Sequence, residues 1–405
     1  MRTLKTPTVY VHERVLGDAL SMRRMERMMT RIEAAEVVEG ITDEALDELI
    51  RRFGWTQSRR VTGHKKETDP PIVFNAFDFS QPNAGRGQGC GNLFHGGGAW
   101  TLRDRQSVRE RDGLVCQTAY ELHSVRGCLF KCDYCYFENV LNIMLNLEEM
   151  CEHLVQMVSS ADQTLWKYDN GSDILAFEPE YGASEVLVRW FGTQRRGFLM
   201  HYTKSDNVDV LRGLPHNGQT IVCWSLSAKT QSQVIEGETA DWRARIEAGR
   251  KCHQWGYAVR YRLSPIVPVR NWREQNRSLI ERLFSRVNPD VLTLQILSRF
   301  PDYEMLPRTL DVDLLDPDFL AAAYRAKNEM AGNIVGPFPH DKRLEVYRFM
   351  IETIREHSPD VPLTICLETP DMWESLRDCL RLDTRLYPCC CGPYSTPGGG
   401  LLGSR

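Results

Sequence analysis

Gly127-Cys128-Leu129-Phe130-Lys131-Cys132-Asp133-Tyr134-Cys135-Tyr136 puts three thiols in one short loop, spaced C-x3-C-x2-C. The run directly follows a strand predicted at Tyr120–Val125. Three thiolates this close can hold three irons of a cubane cluster from a single loop. The fourth iron is then left without a protein ligand, and an open position is what a catalytic metal centre needs. Zinc is the alternative, although it usually takes four ligands in two pairs. No second C-x2-C and no H-x3-H lies nearby. A chance spacing of three cysteines is the remaining reading.

Outward from the loop, β-rich runs alternate with helical ones. Further strands are expected at Asp173–Phe177, Gly197–Thr203, Thr220–Leu226, Tyr257–Val267 and Val291–Leu297, with one more at Pro362–Leu367. Asn146 and Glu149 resemble a capping box for a helix with Met150, Leu154 and Met157 on one face. Thr239 can cap a helix over Asp241–Trp255, and another runs near Glu274–Val287. Later helices are expected at Pro317–Ala331, capped by Asp316, and at Asp341–His357. Strand–helix alternation implies parallel strands joined by crossovers, with the chemistry beyond their carboxyl ends. The predicted fold is α/β, a partial (β/α)6 TIM-like barrel over residues 117–300.

The flanks read differently. Residues 1–66 are expected to form a helical N-terminal extension. Met22, Met25, Met29 and Ile32 make one apolar stripe, and Thr42 caps a second helix stopped by Gly54. Arg51–Lys66 holds six Lys or Arg and no acid, which is either a solvated helix end or a phosphate-contacting patch. Residues 67–116, rich in Gly, Pro and Asn, read as a linker region. Residues 301–405 read as a C-terminal helical cap with a Cys-rich tail.

The chain has 405 residues, 42% hydrophobic and 26% charged, which excludes wholesale disorder. No apolar run is long enough for a membrane span, and Met1 to Asp18 has no secretory h-region. A net charge of −4 announces no global polyanion partner. Thirteen cysteines suit a reducing, cytoplasmic compartment better than a disulfide framework. Cys223, Cys252 and Cys366 read as small buried hydrophobes. Cys389-Cys390-Cys391 reads as a reduced, partly exposed tail, or else as a hydrogen donor or, joined by Cys379, an auxiliary site.

The motif loop, with Tyr134 just before its third cysteine, resembles that of the radical S-adenosylmethionine (radical SAM) superfamily. Thr118–Leu141 and Asn146-Leu-Glu-Glu are similar to the spore photoproduct lyase branch. So are Phe177-Glu178, Tyr202-Thr203-Lys204-Ser205, Trp224-Ser225-Leu226-Ser227, Arg245-Ile246-Glu247-Ala248 and Ser264-Pro265-Ile266. The resemblance implies that Cys128, Cys132 and Cys135 bind a [4Fe-4S] cluster whose fourth iron chelates S-adenosylmethionine. The expected product of reductive cleavage is a 5′-deoxyadenosyl radical that abstracts a substrate hydrogen. The cofactor carries that chemistry and the protein positions and shields it.

Carried over residue by residue, the resemblance makes Glu178 a ligand of the cofactor's amino group. Lys204 and Ser225 become candidates for its carboxylate and ribose, with Ser227 and Ser264 weaker ones. Each could instead be a strand-end polar group satisfying backbone. Tyr136 matches a hydrogen-atom relay, or is a core aromatic beside the cluster. The lyase pattern departs at one place. Where that branch has a cysteine after Phe-Glu, this chain reads Pro179-Glu180-Tyr181, and no cysteine lies between Cys151 and Cys223. Either Tyr181 is the hydrogen donor, or the radical is quenched differently, or the reaction is not thymine-dimer repair. The expected substrate is nucleic acid or nucleotide-like, with an electron donor of flavodoxin or ferredoxin type and no membrane partner. The alternatives are a tailoring enzyme on a small nucleoside or other metabolite, and a structural metal-binding protein.

Overall fold

The structure, a computed structural model, describes residues 1–58, 68–80, 90–161, 164–382, 386–399 and 401–402. Arg59, Arg60, Lys65 and Lys66 of the basic run lie outside the described residues. The strands are β1 (Leu4–His12), β2 (Ile32–Ile41), β3 (Ile72–Asn75), β4 (Trp100–Arg103), β5 (Ala119–Leu122), β6 (Val125–Arg126), β7 (Lys131–Cys132) and β8 (Leu141–Met144). They continue as β9 (Leu165–Tyr168), β10 (Phe198–Thr203), β11 (Thr220–Ser225), β12 (Glu236–Gly237), β13 (Ala258–Ile266), β14 (Leu292–Ile296) and β15 (Leu363–Ile365). The chain divides into two compact units. One comprises Met1–Leu102, Tyr120–Lys131 and Cys135–Thr220; the other comprises Arg103–Ala119, Cys132–Tyr134 and Ile221–Arg405.

The first unit holds a five-stranded sheet in the order β2-β1-β3-β8-β6. β1 pairs in parallel with β2 and β3, β3 pairs in parallel with β8, and β6 closes the edge antiparallel to β8. The helix Ala19–Met29 connects β1 to β2, so the first 41 residues form a βαβ unit. This corrects the expected helical extension over residues 1–66. The apolar stripe does belong to a helix up to Met29, but Ile32 already lies on β2. The segment Ile32-Glu-Ala-Ala-Glu-Val-Val-Glu-Gly-Ile41 is mostly exposed and pairs on one side only, with β1. Sheet pairing overrides the helix preference of its Ala and Glu. Thr42 caps the next helix, Asp43–Phe53, as expected, and Gly54 ends it at φ 62°.

Residues 67–116 are likewise more than a linker. Ile72–Asn75 is a fully buried strand inserted between β1 and β8, and Arg105–Asp112 is a helix capped by Asp104. The same unit contains the parallel run β5-β9-β10. Leu165-Trp-Lys-Tyr168 is the strand here, and the expected strand Asp173–Phe177 is a 3-10 turn over Ile174–Phe177. The second unit holds a parallel run in the order β11-β13-β14-β15. These strands fall within a residue or two of their predicted positions. The expected α/β fold with parallel strands and crossover helices holds. The helix Trp242–Gln254 takes Asp241 as its cap rather than Thr239, because the Asp241 carboxylate accepts from Arg243 N at 2.9 Å. Among the described residues no helix is long and apolar enough to cross a membrane.

Candidate active site

The motif loop begins at a backbone position only glycine can occupy. Gly127 has φ +92°, and a Cβ built there would lie 1.8 Å from the Val140 carbonyl oxygen. Of the three thiols that follow, Cys132 is buried and Cys128 and Cys135 are half-buried; none is in a disulfide. Among the described residues no three His, Cys, Asp or Glu side chains stand at single-ion spacing, these three included. A cubane takes one thiolate per iron, so its ligands stand farther apart than those of a single ion. Three reduced thiols on a glycine-based loop, with one side chain buried and two accessible, fit such a cluster as a donor set.

Tyr134 is buried, and its hydroxyl donates to Glu236 Oε1. Burial, followed by the Glu236 charge and the Cys132 sulfur, pushes the phenol well above its ordinary range. Glu236 is itself buried. Its Oε1 also accepts from Ser227 Oγ at 2.6 Å and Gln231 Nε2 at 3.1 Å, while its Oε2 is 2.7 Å from the Arg245 guanidinium. Ser227 and Tyr134, both cofactor candidates from the sequence, donate to Glu236, and Gln231 donates to Ser227 and Glu236; the sequence reading missed Glu236 and Gln231. Three of the Glu236 partners, Ser227, Gln231 and Arg245, lie within nine residues of it, but Tyr134 comes from the motif loop far along the chain. Asp133 N–H adds a backbone bond to Ile235 O at 2.9 Å, so two neighbouring motif residues are tied to this segment.

Glu178 is fully buried just before the helix Ala183–Thr193. Its Oε2 accepts from Gly182 N at 2.7 Å and its Oε1 from Ser184 N at 2.6 Å. Both oxygens therefore meet orphan N–H groups at a helix start, where the dipole favours an anion. Burial still pushes its carboxyl above the ordinary range, against those two bonds. Each carboxylate oxygen keeps acceptor capacity for a further donor.

Lys204 follows β10 and is half-buried; its backbone N–H donates to Asp173 Oδ2 at 2.6 Å. Asp173, read from the sequence as a strand residue, braces the strand end, accepting also from Thr203 Oγ1 at 2.9 Å. Burial raises its carboxyl to about 6. Ser225 is half-buried at the end of β11, where its carbonyl accepts from Arg245 at 3.0 Å. Ser264 on β13 donates to Gln295 Oε1 at 2.8 Å. Ser227 and Ser264 have side-chain partners; Lys204 and Ser225 lie half-buried at strand ends.

The two tyrosine candidates differ sharply. Tyr136 is 39% exposed and stacks on Phe137, with ring centroids 4.6 Å apart. Tyr181 is fully buried and donates to the Met144 carbonyl at 2.7 Å. Burial pushes its phenol up. Beside it lies a network the sequence did not announce. Asp169, in a left-handed backbone conformation after β9, accepts from Ser124 N at 2.9 Å, Ser124 Oγ at 2.7 Å and Val125 N at 3.2 Å. The Ser124 hydroxyl also meets Tyr168 Oη at 2.7 Å. Burial raises the Asp169 carboxyl to about 7 despite these donors. Asp169 thus holds the two residues that lead into the motif loop.

Residues 114–300 match the family model for spore photoproduct lyase. The spore photoproduct lyase of Clostridium acetobutylicum is 22% identical over 200 residues, which is 47% of this chain and 60% of that protein. The Geobacillus sp. enzyme of the same name is 23% identical over 172 residues, 40% of this chain and 50% of that one. These alignments thus span half to three fifths of the relatives' own lengths. A solved spore photoproduct lyase mutant superposes with a TM-score of 0.60 at 18% identity, covering 90% of this chain and 99% of that one. A spore photoproduct lyase complexed with dinucleoside spore photoproduct superposes equally well, at 0.60 and 17% identity. A third, with AdoMet and the same dinucleoside bound, gives 0.56 at 15% identity. At such identities the superpositions speak for the fold.

Proposed function

We propose that the chain is a spore photoproduct lyase-like radical SAM enzyme, one that cleaves S-adenosylmethionine to act on a nucleotide-like substrate. The observation that carries this reading is the C-x3-C-x2-C loop inside the matched region. Cys128, Cys132 and Cys135 would hold a [4Fe-4S] cluster on a partial (β/α)6 scaffold. When bound, that cluster and S-adenosylmethionine supply one-electron reduction and a carbon radical able to abstract hydrogen. The protein's own residues hold, orient and shield. Lys204 offers a cation to a carboxylate, and Ser225 a hydroxyl to a ribose. Glu178 offers its remaining lone pairs to an amino group. Tyr134, tied to Glu236, fixes the loop between the second and third thiols. An electron donor of flavodoxin or ferredoxin type would complete the system.

Solved relatives bind a dinucleoside spore photoproduct, which supports repair of such a lesion here. Tyr181 favours a second reading. It stands where the resemblance expects a cysteine donor, and its hydroxyl is buried on a backbone carbonyl. A reaction needing no thiol donor, such as tailoring of a small nucleoside, accommodates that arrangement.

The test is anaerobic reconstitution of the full chain with iron and sulfide, followed by dithionite and S-adenosylmethionine. The expected result is 5′-deoxyadenosine or methionine by chromatography, lost in Cys132→Ala. An intact cluster with no cleavage would overturn the enzyme reading. Added dinucleoside spore photoproduct separates the substrates: thymine dinucleoside released above background supports repair, and its absence with cleavage intact moves the reading to the small-nucleoside alternative.

A further inference from the structure

Two sets of arginines hold backbone that belongs to a distant segment. The first corrects a sequence expectation, because the Cys-rich tail is buried rather than exposed. Cys389, Cys390 and Cys391 are 6%, 0% and 4% accessible. Arg260 donates to the Cys390 carbonyl at 2.7 Å and to the Ser395 carbonyl, and buried backbone groups need such partners. The second set lies on the N-terminal βαβ unit and reaches the segment that carries Glu178 and Tyr181.

Arg24 and Arg27 stand one turn apart on the helix Ala19–Met29, so their side chains are neighbours. Arg24 is buried, and its Nε donates to the Tyr181 carbonyl at 3.0 Å. Its other nitrogens donate to the Leu145 carbonyl and to the Glu148 carboxylate, the latter at 2.7 Å. Arg27 spreads its planar fork over two successive carbonyls. Its Nε donates to Glu180 O at 2.5 Å and its Nη2 to Tyr181 O at 3.1 Å. Gly182 makes room for this contact. It has φ +71°, and a Cβ there would lie 2.6 Å from Arg27 Nη2.

What the two arginines share is one peptide plane. The Tyr181 carbonyl and the Gly182 N–H are opposite ends of the same planar amide. The carbonyl end accepts from Arg24 and Arg27, and the N–H end donates to Glu178 Oε2 at 2.7 Å. A guanidinium on the carbonyl fixes the plane and polarises it, which strengthens the N–H as a donor. Burial raises the Glu178 carboxyl; the Ser184 and Gly182 bonds, and then the Arg27 charge, oppose it. The Glu178 carbonyl is held in turn by Asn207 Nδ2 at 2.8 Å.

We propose that Arg24 and Arg27 are positioning residues of the S-adenosylmethionine site, acting through the Tyr181–Gly182 peptide to aim the Glu178 carboxylate at the cofactor's amino group. The proposal rests on the reading of Glu178 given under the proposed function. It gives the N-terminal βαβ unit, which lies outside the matched residues 114–300, a part in cofactor binding.

Arg24 also serves Leu145 and Glu148, so its removal tests folding as well; the exposed Arg27 carries the test. Equilibrium dialysis of S-adenosylmethionine against the reconstituted, unreduced full chain reads affinity without turnover. Magnetic resonance of the iron-free chain labelled with 15N-glycine reads the Gly182 amide and its exchange with solvent. Arg27→Ala is expected to weaken S-adenosylmethionine about tenfold, the size typical of losing a group that orients a binding side chain. The Gly182 amide should shift and exchange faster, while iron content and Tm stay at the parent values. Arg31→Ala, which removes a partner of the Glu180 carboxylate at 2.8 Å, should leave the affinity unchanged. In a Glu178→Gln background, Arg27→Ala should add nothing to the loss. A loss that adds in full to that of Glu178→Gln overturns the proposal, and so does an unmoved Gly182 amide. A parent chain that holds its cluster yet binds no S-adenosylmethionine overturns the radical reading and this proposal with it. Unchanged affinity in Arg27→Ala, beside a parent that binds, overturns this proposal alone.

Discussion

Glu178 and Glu236 are buried alike, one in each unit, and are held by opposite means. Glu178 meets only backbone N–H groups at the start of a helix. Glu236 is held by side chains: a tyrosine, a serine, a glutamine and the guanidinium of Arg245. A buried carboxylate costs several kcal/mol unless a cation or several donors compensate it. Glu236 gathers three side-chain donors on Oε1, while its Oε2 makes no hydrogen bond and meets the Arg245 guanidinium only as an ion pair. The Glu178 arrangement compensates partly, and keeps acceptor capacity for an incoming cation. The contrast separates a carboxylate paired with a cation from one held by backbone alone, although the residue type and burial are the same.

Removing the cation is the strongest way to break the contrast. Arg245→Met should cost about 3–5 kcal/mol, because Glu236 is left charged and buried. Urea unfolding measures this, and a loss under about 1 kcal/mol would mean that the Glu236 donors suffice alone. The tyrosines sharpen the comparison. Tyr134→Phe removes a bond to a charged acceptor and should cost about 1.5–3 kcal/mol, against about 0.5–1.5 for Tyr181→Phe, whose acceptor is neutral. Equal losses would argue that Glu236 is protonated.

Asp169 belongs with Glu178, since its donors carry no charge, and it supplies the pH test. Burial raises its carboxyl from 3.8 to about 7. A raised value means that the folded chain prefers the protonated form. That stabilisation is complete below the unfolded value and is lost as pH rises through about 7. Asp169→Asn cannot titrate, so the fall in stability between pH 4 and 7 should flatten in the variant. Parallel urea midpoints against pH in both chains would contradict this. The last test is on Glu178 itself. Glu178→Gln keeps the volume but turns an amide donor toward Gly182 N or Ser184 N, a loss of about 1–3 kcal/mol. A receptor role adds a higher KM for S-adenosylmethionine; an unchanged KM leaves Glu178 a helix cap only.

What the sequence made legible divides along the same line. The motif loop was readable because its three thiols are local. The strands of the second unit were readable because Thr220–Ser225, Ala258–Ile266 and Leu292–Ile296 are dense in β-branched and aromatic residues. The N-terminal sheet was not, because β2 is an edge strand spelled with helix formers, and only its pairing with β1 decides it. Leu165–Tyr168, which carries Lys167, was not among the expected strands. That lysine is buried on the sheet with Glu121 Oε1 at 2.6 Å, a pairing no window contains. Asp169 was missed for the same reason, since its donors Ser124 and Val125 lie 44 or 45 residues away. Glu236 was missed although Ser227, Gln231 and Arg245 are near it, because the Tyr134 that links it to the motif is not.

The close approach of Gly127 to Val140 has a consequence for how metal enters. A contact between these positions pinches off a loop of about a dozen residues, so its ends are joined before any iron arrives. The entropy of closing that loop is met by folding. If the three thiols take up iron as proposed, they would do so from a small volume at high effective concentration, and a first iron–sulfur bond would make the next two nearly intramolecular. A side chain at 127 would unpin that ring, and should show first as slower, less complete iron uptake, in a chain whose core still melts cooperatively.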